Sequence, residues 1–197
     1  MTRVILASKS AARGALLAGA GVAFETVGSG VDEDVIKQRL LAERADPMTI
    51  ASALAAAKAE AVSAARDGLV IGADQTLDLD GVLFDKVGNL EEARRRLEQL
   101  RGRRHQLHSA VAVAKAGAVV WSEIQSASLT MRAFSADFLD AYLIRNGGAA
   151  LSSVGCYQLE GQGVQLFDRI DGDYFTILGL PMMGLLALLR GEGVVAT

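Results

Sequence analysis

This chain of 197 residues has a single cysteine. It has no excess of positive charge and no long hydrophobic run. Its one cysteine, Cys156, cannot form a disulfide within the chain, which favours a reducing compartment such as the cytoplasm. The net charge of -3 gives the chain no electrostatic reason to hold long DNA or RNA or an anionic membrane. We therefore expect none of these as a partner.

Hydrophobic runs are too short for a signal peptide or a membrane span. The N-terminus becomes polar directly after residues 4–7, and the apolar run at 177–189 is interrupted by Gly179, Pro181 and Gly184. A membrane span needs roughly 20 apolar residues. Because 51% of the residues are hydrophobic, the chain can still bury a substantial core, and we expect a single cytoplasmic domain over residues 1–197.

Several catalytic signatures are missing as well. The chain has neither the Gly-x-Ser-x-Gly elbow of serine hydrolases nor the Gly-x-x-x-x-Gly-Lys-Ser/Thr loop of P-loop enzymes. His105 and His108 lack further ligands at zinc-site spacing. These absences disfavour a serine hydrolase, a P-loop phosphoryl transferase and a zinc site.

The spacing of apolar residues predicts alternating strands and helices. Strands are predicted at residues 4–7, 22–27, 69–73, 106–114, 119–131, 164–170 and 175–178, with a hairpin at 77–83. Helices are predicted after residues 8–10, at 47–65, 89–100 and 135–145, and from Pro181 to residue 189. This alternation indicates an α/β fold with a central sheet flanked by helices.

Two of these helices carry further expectations. The helix at 89–100 places Arg94, Arg95 and Arg96 on its outer face, where we expect them to be solvated. The helix at 135–145 is expected to end at Asn146-Gly147, because such a pair is typical of a helix C-terminus.

The first candidate site is the turn that follows the first strand. It holds the hydroxyls of Ser8 and Ser10 and the cations Lys9 and Arg13 where a strand leads into a helix. Free N–H groups and the helix dipole favour a phosphate at such a point. An ordinary serine N-cap with solvated cations explains the same residues, and the spacing does not separate the two interpretations.

Acidic residues provide the second candidate site. Asp32, Glu33 and Asp34 form an acidic turn, and Asp74 follows the apolar strand 69–73, at the strand end where α/β sheets bind their ligands. Magnesium takes oxygen ligands and bridges carboxylates to substrate phosphates, so these acids are candidates for metal binding and for activating water. Asp32 and Asp34 also fit turn residues without a catalytic role.

Two lysines have no clear role from the pattern alone. Lys58 lies in the alanine-rich helix 47–65, where a lysine commonly extends its stem along apolar surface towards solvent. Lys86 follows the hairpin and fits an ordinary loop charge. Neither position by itself predicts a ligand.

Together, these motifs resemble the Maf family of proteins. The matching segments are ILASKSAAR (5–13), VDE (31–33), LAAAKA (54–59), IGAD (71–74), Lys86, GRRH (102–105), GDY (172–174) and GLP (179–181). The resemblance runs from residue 4 to about residue 189 and implies a mixed central sheet flanked by helices, with two lobes around a deep cleft, as in inosine triphosphate pyrophosphatases. It also implies hydrolysis of nucleoside triphosphates to monophosphate and pyrophosphate with Mg²⁺ or Mn²⁺, in a protein that is often a homodimer.

The resemblance assigns roles position by position. Asp74 is similar to the proton acceptor that activates water, and Glu33 and Asp74 are similar to the residues that hold the metal. The phosphate cradle is assigned to Ser8, Ser10, Arg13 and the catalytic cations Lys58 and Lys86. Lys58 thereby becomes an expected ligand.

Departures from the family pattern leave the base preference open. The family has Pro-Arg or Pro-Trp where this chain has Ala11-Ala12, a position that helps to choose the base. Ser153 and Glu160 stand where members active on thymidine and uridine triphosphates have lysine and glutamine. Glu160 and Gln75, both expected to bind substrate, are instead similar to the branch that hydrolyses 7-methylguanosine triphosphate.

A hypothesis from another class is a nucleotide-binding regulator of cell division or septum formation with weak or no hydrolysis. The loss of the family lysine at Ser153 supports it. Tight nucleotide binding without turnover would select this hypothesis over an enzyme.

Overall fold

The computed structural model describes residues 2–196. Its strands are β1 (Val4–Leu6), β2 (Glu25–Thr26), β3 (Leu69–Leu79), β4 (Val82–Phe84), β5 (Arg104–Lys115), β6 (Ala118–Met131) and β7 (Phe167–Asp171). Its α-helices are α1 (Ala11–Gly19), α2 (Glu33–Ala42), α3 (Pro47–Ser63), α4 (Leu90–Leu100), α5 (Ala136–Ala150), α6 (Tyr174–Ile177) and α7 (Met182–Gly191), and a 3₁₀ helix spans Gln162–Leu166. Over the described range, none of these helices combines the length and apolar character that crossing a bilayer requires.

Within residues 2–196, the seven strands form one mixed sheet. The strand order is β2-β1-β3-β5-β6-β7, with β4 paired to β3. Strand β1 runs parallel to β2 and β3, whereas the other pairs are antiparallel. The predicted α/β fold with a mixed central sheet is confirmed.

Most buried hydrophobic side chains of the described residues belong to two large groups on different parts of the sheet. One group packs α4 and α5 against β5 and β6 and includes Leu97, Leu129 and Phe134. The other packs α1 and α7 against β1 and β3 and includes Leu17 and Leu185. Each fully buried leucine in these groups stabilises the fold by about 1.5–3 kcal/mol.

Helix α3 lies against the sheet, and small residues form the closest part of this contact. Ala55 and Ala59 of the helix pack with Ala110 of β5. A Cβ atom on Gly72 of β3 would lie 2.6 Å from the backbone nitrogen of Ala59 and would clash with the carbonyl oxygen of Ala55. Only glycine permits this approach, so α3 and its Lys58 are held close to β3.

The acidic segment that was expected to form a turn starts a helix instead. Asp32 is the N-cap of α2, and its Oδ1 accepts a hydrogen bond from the Val35 backbone nitrogen at 3.2 Å. Glu33 is therefore the first helical residue. The sequence pattern does not predict α2, because Leu40 is its only buried residue and no apolar stripe marks it. The predicted strand at 22–27 is also shorter, since only Glu25–Thr26 pairs with β1.

Residues 175–178, expected to form a strand, lie in and just after the short helix α6. Asp173 is the reason, because its Oδ2 accepts a hydrogen bond from the Thr176 backbone nitrogen at 2.8 Å and so caps a helical turn. Residues 164–166 of another predicted strand belong to the 3₁₀ helix, and pairing with β6 begins at Phe167.

Helix α5 does not end at Asn146-Gly147 as expected. Its helical conformation continues to Ala150, and Asn146 Nδ2 donates a hydrogen bond back to the Tyr142 carbonyl oxygen at 3.0 Å. The asparagine thus pairs within the helix and does not cap it.

Candidate active site

A cleft of about 830 Å³ receives side chains from several elements of the fold. This volume lies within the range typical of small-molecule sites. Its lining comes from the start of α1, from α2, α3 and β3, from the segment after β4, and from residues 152–160. The cleft brings together every residue to which the family resemblance assigns a role: Ser8, Ser10, Arg13, Glu33, Lys58, Asp74, Gln75, Lys86 and Glu160. Asp32, by contrast, is not part of its lining.

The N-terminus of α1 supplies hydroxyls and backbone N–H groups to the cleft. Ser10 is the N-cap, and its Oγ accepts a hydrogen bond from the Arg13 backbone nitrogen at 3.4 Å. Ser8 is buried, and its Oγ accepts from the Ser10 backbone nitrogen at 3.2 Å. Ser10 is thus an ordinary serine N-cap, while phosphate binding at this helix N-terminus stays a prediction, supported by the cations that line the same cleft.

Arg13 is fixed by groups distant from it in the sequence. Its Nε donates to the Gly179 carbonyl oxygen at 2.8 Å, and its Nη1 donates to Ser8 Oγ at 3.2 Å. Burial lowers the pKa of the guanidinium, while the negative charges of Asp74 and Glu33 raise it. A guanidinium keeps its proton in proteins, so Arg13 provides a fixed positive charge.

Lys58 lies between the two acids expected to hold a metal. Its Nζ is 2.7 Å from Asp74 Oδ1 and 2.9 Å from Glu33 Oε1. The side chains of Lys58 and Asp74 are 7% and 12% exposed, whereas that of Glu33 is 42% exposed. The lysine therefore does not extend to solvent, and its ammonium holds both carboxylates at one point of the cleft.

Asp74 lies in the middle of β3, so the expectation that it ends the strand is wrong. One edge of β3 pairs with β1 up to Ile71 and with β4 from Leu77 onwards. Residues 72–76 lie between these two pairings and are held by β5 on their other edge. The apolar run stops at Asp74 because the cleft meets the sheet there, while the backbone continues as a strand.

The pKa of Asp74 reflects burial and charge acting in opposite directions. Burial raises the pKa of this carboxyl above its ordinary value, and the positive charges of Lys58 and Arg13 lower it. The negative charge of Glu33 adds to the rise. A carboxylate with a raised pKa is a stronger base, which suits proton abstraction near neutral pH.

Lys86 faces the same charged groups from the segment after β4. Burial lowers the pKa of its ammonium, and the nearby positive charges of Arg13 and Lys58 lower it further. The carboxylates of Asp74 and Glu33 act in the opposite direction. The cleft therefore contains a cluster of cations around two acids, which is the composition needed to hold a phosphate chain.

Gln75 leaves β3 on the face opposite to Asp74 and is firmly anchored. Its Nε2 donates to Ser109 Oγ at 2.9 Å and to the carbonyl oxygens of Thr176 and Ile177 at 3.1 and 2.9 Å. An amide nitrogen has two hydrogens, so these acceptors use it fully. The amide oxygen is the polar atom that remains for a ligand.

Residues 152–160 line another part of the cleft. Glu160 is exposed there, and Ala12 also contributes to the lining. Ser153 Oγ accepts a hydrogen bond from the Tyr157 backbone nitrogen at 3.0 Å and donates to the Tyr157 carbonyl oxygen at 2.7 Å. Ser153 thus stabilises the turn of this segment.

Lys37 and Thr76 also line the cleft, although the sequence patterns do not identify them. Lys37 Nζ is 3.2 Å from Asp34 Oδ1 and 2.9 Å from Asp85 Oδ1. Thr76 Oγ1 donates to the Pro47 carbonyl oxygen at 2.8 Å. The spacing of Asp34 and Lys37 is a usable signal only after α2 is recognised, because such pairs meet on helices.

His105 and Cys156 are buried in the core. His105 Nε2 is 2.7 Å from the Tyr157 hydroxyl, and burial lowers the pKa of its imidazole to about 4. Burial raises the pKa of the Cys156 thiol to about 11, so the reactive thiolate is scarce at neutral pH.

The donor set of the cleft fits a hard divalent cation. Glu33 and Asp74 present carboxylate oxygens at the same ammonium group. In the part of the chain that the structure describes, no group of three His, Cys, Asp or Glu residues could hold a metal by itself. Magnesium commonly uses one or two carboxylates and takes its other ligands from substrate phosphates and water, so two acids beside a phosphate site suit it.

The chain is similar to proteins of known family over nearly its whole length. A family model described as "Maf-like protein" matches residues 3–192. A protein of Caulobacter vibrioides named "Nucleoside triphosphate pyrophosphatase" is 60% identical over 193 residues, which cover 98% of this chain and 97% of that protein. One of the same name from Granulibacter bethesdensis is 50% identical, with 95% and 96% covered. A protein of Brucella abortus named "7-methyl-GTP pyrophosphatase" is 48% identical, with 96% of both chains covered.

Proposed function

Because this chain belongs to the Maf family, we propose that it is a nucleoside triphosphate pyrophosphatase. Water attacks the α-phosphorus, the bond from that phosphorus to the bridging oxygen breaks, and pyrophosphate leaves a nucleoside monophosphate. The similarity to proteins named for this activity at 50–60% identity supports the reaction.

One observation carries the proposal: an acid with a raised pKa lies in a cleft with fixed cations. Asp74 and Lys58 are in contact at 2.7 Å. The charge of Arg13 lowers the pKa of Asp74. The charges of Asp74 and Lys58 in turn act on the pKa of Lys86. Cations offset the charge of the triphosphate, while a carboxylate can accept a proton from water.

Each residue has a defined part in this proposal. The α1 N-terminus, Arg13 and Lys86 bind the phosphates, and Asp74 takes the proton of the attacking water. Glu33 and Asp74 would hold a divalent metal, Mg²⁺ or Mn²⁺, which when bound supplies charge neutralisation on phosphate oxygens. Lys58 completes the phosphate cradle, and its charge lowers the pKa of Asp74, which favours the ionised form that accepts a proton.

For the base, we propose a 7-methylguanosine-like purine in preference to thymine or uracil. The amide oxygen of Gln75 and the carboxylate of Glu160 offer acceptors for the N–H groups of guanine. A methyl group at N7 gives guanine a positive charge, which a carboxylate attracts. The similarity to a protein named "7-methyl-GTP pyrophosphatase" supports this preference.

Two further properties extend the proposal. We expect the protein in the cytoplasm, because its single cysteine suits a reducing compartment. We also expect a homodimer, as the family resemblance implies. Sedimentation at several protein concentrations checks the assembly.

The alternative function, a regulator that binds nucleotides without cleaving them, relied on Ser153. Its side chain bonds the backbone of Tyr157 and closes a turn, while the charged groups around Asp74 do not depend on it. This arrangement favours the enzyme.

A substrate panel tests the function. Purified protein is incubated with 7-methylguanosine, inosine, thymidine and uridine triphosphates and either metal, and pyrophosphate and orthophosphate are measured separately. We expect pyrophosphate release, fastest with the methylated purine. No turnover of any triphosphate would overturn the enzyme, and calorimetry showing tight binding without turnover would select the regulator. Preference for thymidine triphosphate would overturn only the base assignment.

A further inference from the structure

Arg96 connects two segments of the cleft lining from outside the cleft. It lies on α4 among the arginines expected to be solvated, and that expectation is wrong for this residue. Its Nη1 donates to the Asp85 carbonyl oxygen at 2.8 Å and to the Val154 carbonyl oxygen at 2.5 Å. One guanidinium nitrogen therefore ties together two loops that are distant in sequence.

The two carbonyl groups belong to different parts of the site. Asp85 directly precedes Lys86, the cation that follows β4. Val154 lies in the segment 152–160, which carries Glu160. A change in either carbonyl's position moves the backbone next to a residue that the proposed reaction uses.

The guanidinium is itself closely held. Its central carbon lies 4.4 Å from the centroid of the Phe84 ring, a cation–π contact that fixes the plane of the group. Its Nε is buried and has no hydrogen-bond partner among the described residues. An unpaired buried donor lowers the stability of the fold, so stability alone does not explain the arginine at this position. Asp85 is fixed from its other side, since its carboxylate is 2.9 Å from Lys37 Nζ.

We propose that Arg96 is a positioning residue for the reaction, one that sets Lys86 and the segment 152–160 at their working separation. The proposal rests on the proposed function, because it takes Lys86 as part of the phosphate cradle. Arg96 touches neither substrate nor reacting atoms. It acts through the backbone of Asp85 and Val154.

Arg96→Met and Arg95→Met form a matched pair for the test. Methionine keeps an apolar stem at position 96 but removes the donors. Arg95 is the neighbour on the same helix, is exposed, and pairs with Glu91 of its own helix at 2.9 Å. Both variants are compared with the wild type in kcat, KM and thermal unfolding, with activity measured well below each melting temperature.

We expect Arg96→Met to lower kcat/KM roughly 10- to 100-fold, through both a lower kcat and a higher KM, because small displacements in a site have effects of this size. Arg95→Met is expected to stay within about twofold of the wild type, since an exposed helix pair contributes little. Equal kcat/KM in the two variants overturns the proposal.

A double-mutant cycle separates positioning from a general effect on the fold. Arg96→Met is combined with Lys86→Met, and the affinity for a non-hydrolysable α,β-methylene triphosphate is measured in all four proteins. If Arg96 acts through Lys86, its substitution weakens binding less when Lys86 is already missing. The same loss in both backgrounds overturns the proposal.

The test stays decisive if the variant does not fold or if the wild type is inactive. If Arg96→Met does not fold, Arg96→Lys replaces it in the cycle, because lysine keeps the charge but not the planar group that stacks on Phe84. A wild type that binds the analogue without cleaving any triphosphate overturns the proposed function, while the binding cycle still decides the role of Arg96.

Discussion

The ammonium of Lys58 lies 2.7 Å from the carboxylate of Asp74, and both side chains are buried. Gly72 and Asp74 share the face of β3 that α3 covers, since alternate residues of a strand point the same way. The close approach of α3 at Gly72 therefore brings Lys58 to Asp74. The pKa of this acid is set by burial against the lysine charge, a balance that one substitution can shift.

Removing that lysine charge should change the pH dependence of the enzyme. In Lys58→Met, the pKa of Asp74 rises further, so the acidic limb of the kcat/KM profile moves to higher pH. We expect kcat to fall roughly 10²- to 10³-fold, because a cation facing the phosphates is lost. Lys58→Arg is the control and should keep the limb closer to its wild-type position. A limb that does not move in Lys58→Met would contradict this account.

Asp74→Asn should slow the chemical step far more than it weakens the binding of substrate. Asparagine cannot accept the proton of the attacking water, and general-base catalysis contributes roughly 10²- to 10⁴-fold. The measurement is kcat from pyrophosphate release, together with analogue affinity by calorimetry. Asp168→Asn, at an exposed position of β7, is the matched control and should behave as the wild type. A kcat of Asp74→Asn near that of the control would remove the acid from the mechanism.

Removal of the metal should stop turnover. Glu33→Gln should weaken metal binding, so that more metal is needed for the half-maximal rate. A carboxylate holds Mg²⁺ more strongly than an amide does, so we expect the metal concentration for half-maximal rate to rise roughly tenfold or more. Glu43→Gln at the exposed C-cap of the same helix serves as control. Full activity in chelator, or identical metal curves for the two variants, would argue against the assignment of Glu33.

Gly72→Ala should destabilise the fold and the site together. The added methyl meets backbone atoms of Ala55 and Ala59, so α3 must move away from β3. Overpacking of this kind costs about 1–3 kcal/mol, and the displaced Lys58 should reduce kcat as well. Gly148→Ala is the comparison, because its methyl meets nothing within 4 Å in α5 and should stabilise the protein by about 0.5–1 kcal/mol. Urea unfolding measures both.

His105 should make the protein sensitive to acid. Burial lowers its pKa from 6.5 to about 4, so the unfolded chain binds a proton that the folded chain does not. The stabilisation is present above pH 6.5 and is lost as the pH falls towards 4, by about 3 kcal/mol at 1.36 kcal/mol per pKa unit. Between pH 7 and pH 4, the free energy of unfolding of His105→Gln should fall by about 3 kcal/mol less than that of the wild type. Urea unfolding across this range checks it, and parallel curves would refute it.

The sequence predicts elements well where apolar periodicity is strong, and poorly where short polar contacts decide the structure. The alanine-rich α3 and the amphipathic α4 are confirmed. Helix α2 and the short α6 depend on the N-caps Asp32 and Asp173, and their segments also fit a turn and a strand. Local pattern cannot choose between these alternatives, because an aspartate at the start of a segment fits both a helix N-cap and a turn.

The residues of the candidate site could be found by resemblance, but their arrangement could not. Lys58 was expected from helix pattern to reach solvent, and only the packing of α3 on Gly72 shows that it turns towards Asp74. Arg96 resembles its neighbours on a charged helix face, and nothing local reveals that loops with Asp85 and Val154 close over it. Such contacts join segments far apart in the chain.

Around Gly72, the interface of α3 with the sheet is formed by that glycine and by Ala55 and Ala59, which have no side-chain freedom with which to adjust. Substitutions there are transmitted directly to Lys58, so this surface has little tolerance for evolutionary change. The segment 152–160, by contrast, is built from turns and can exchange residues such as Ser153 without touching that interface. Under the proposed function, a lineage can therefore change its nucleobase preference through this loop while the contact between α3 and the sheet stays the same.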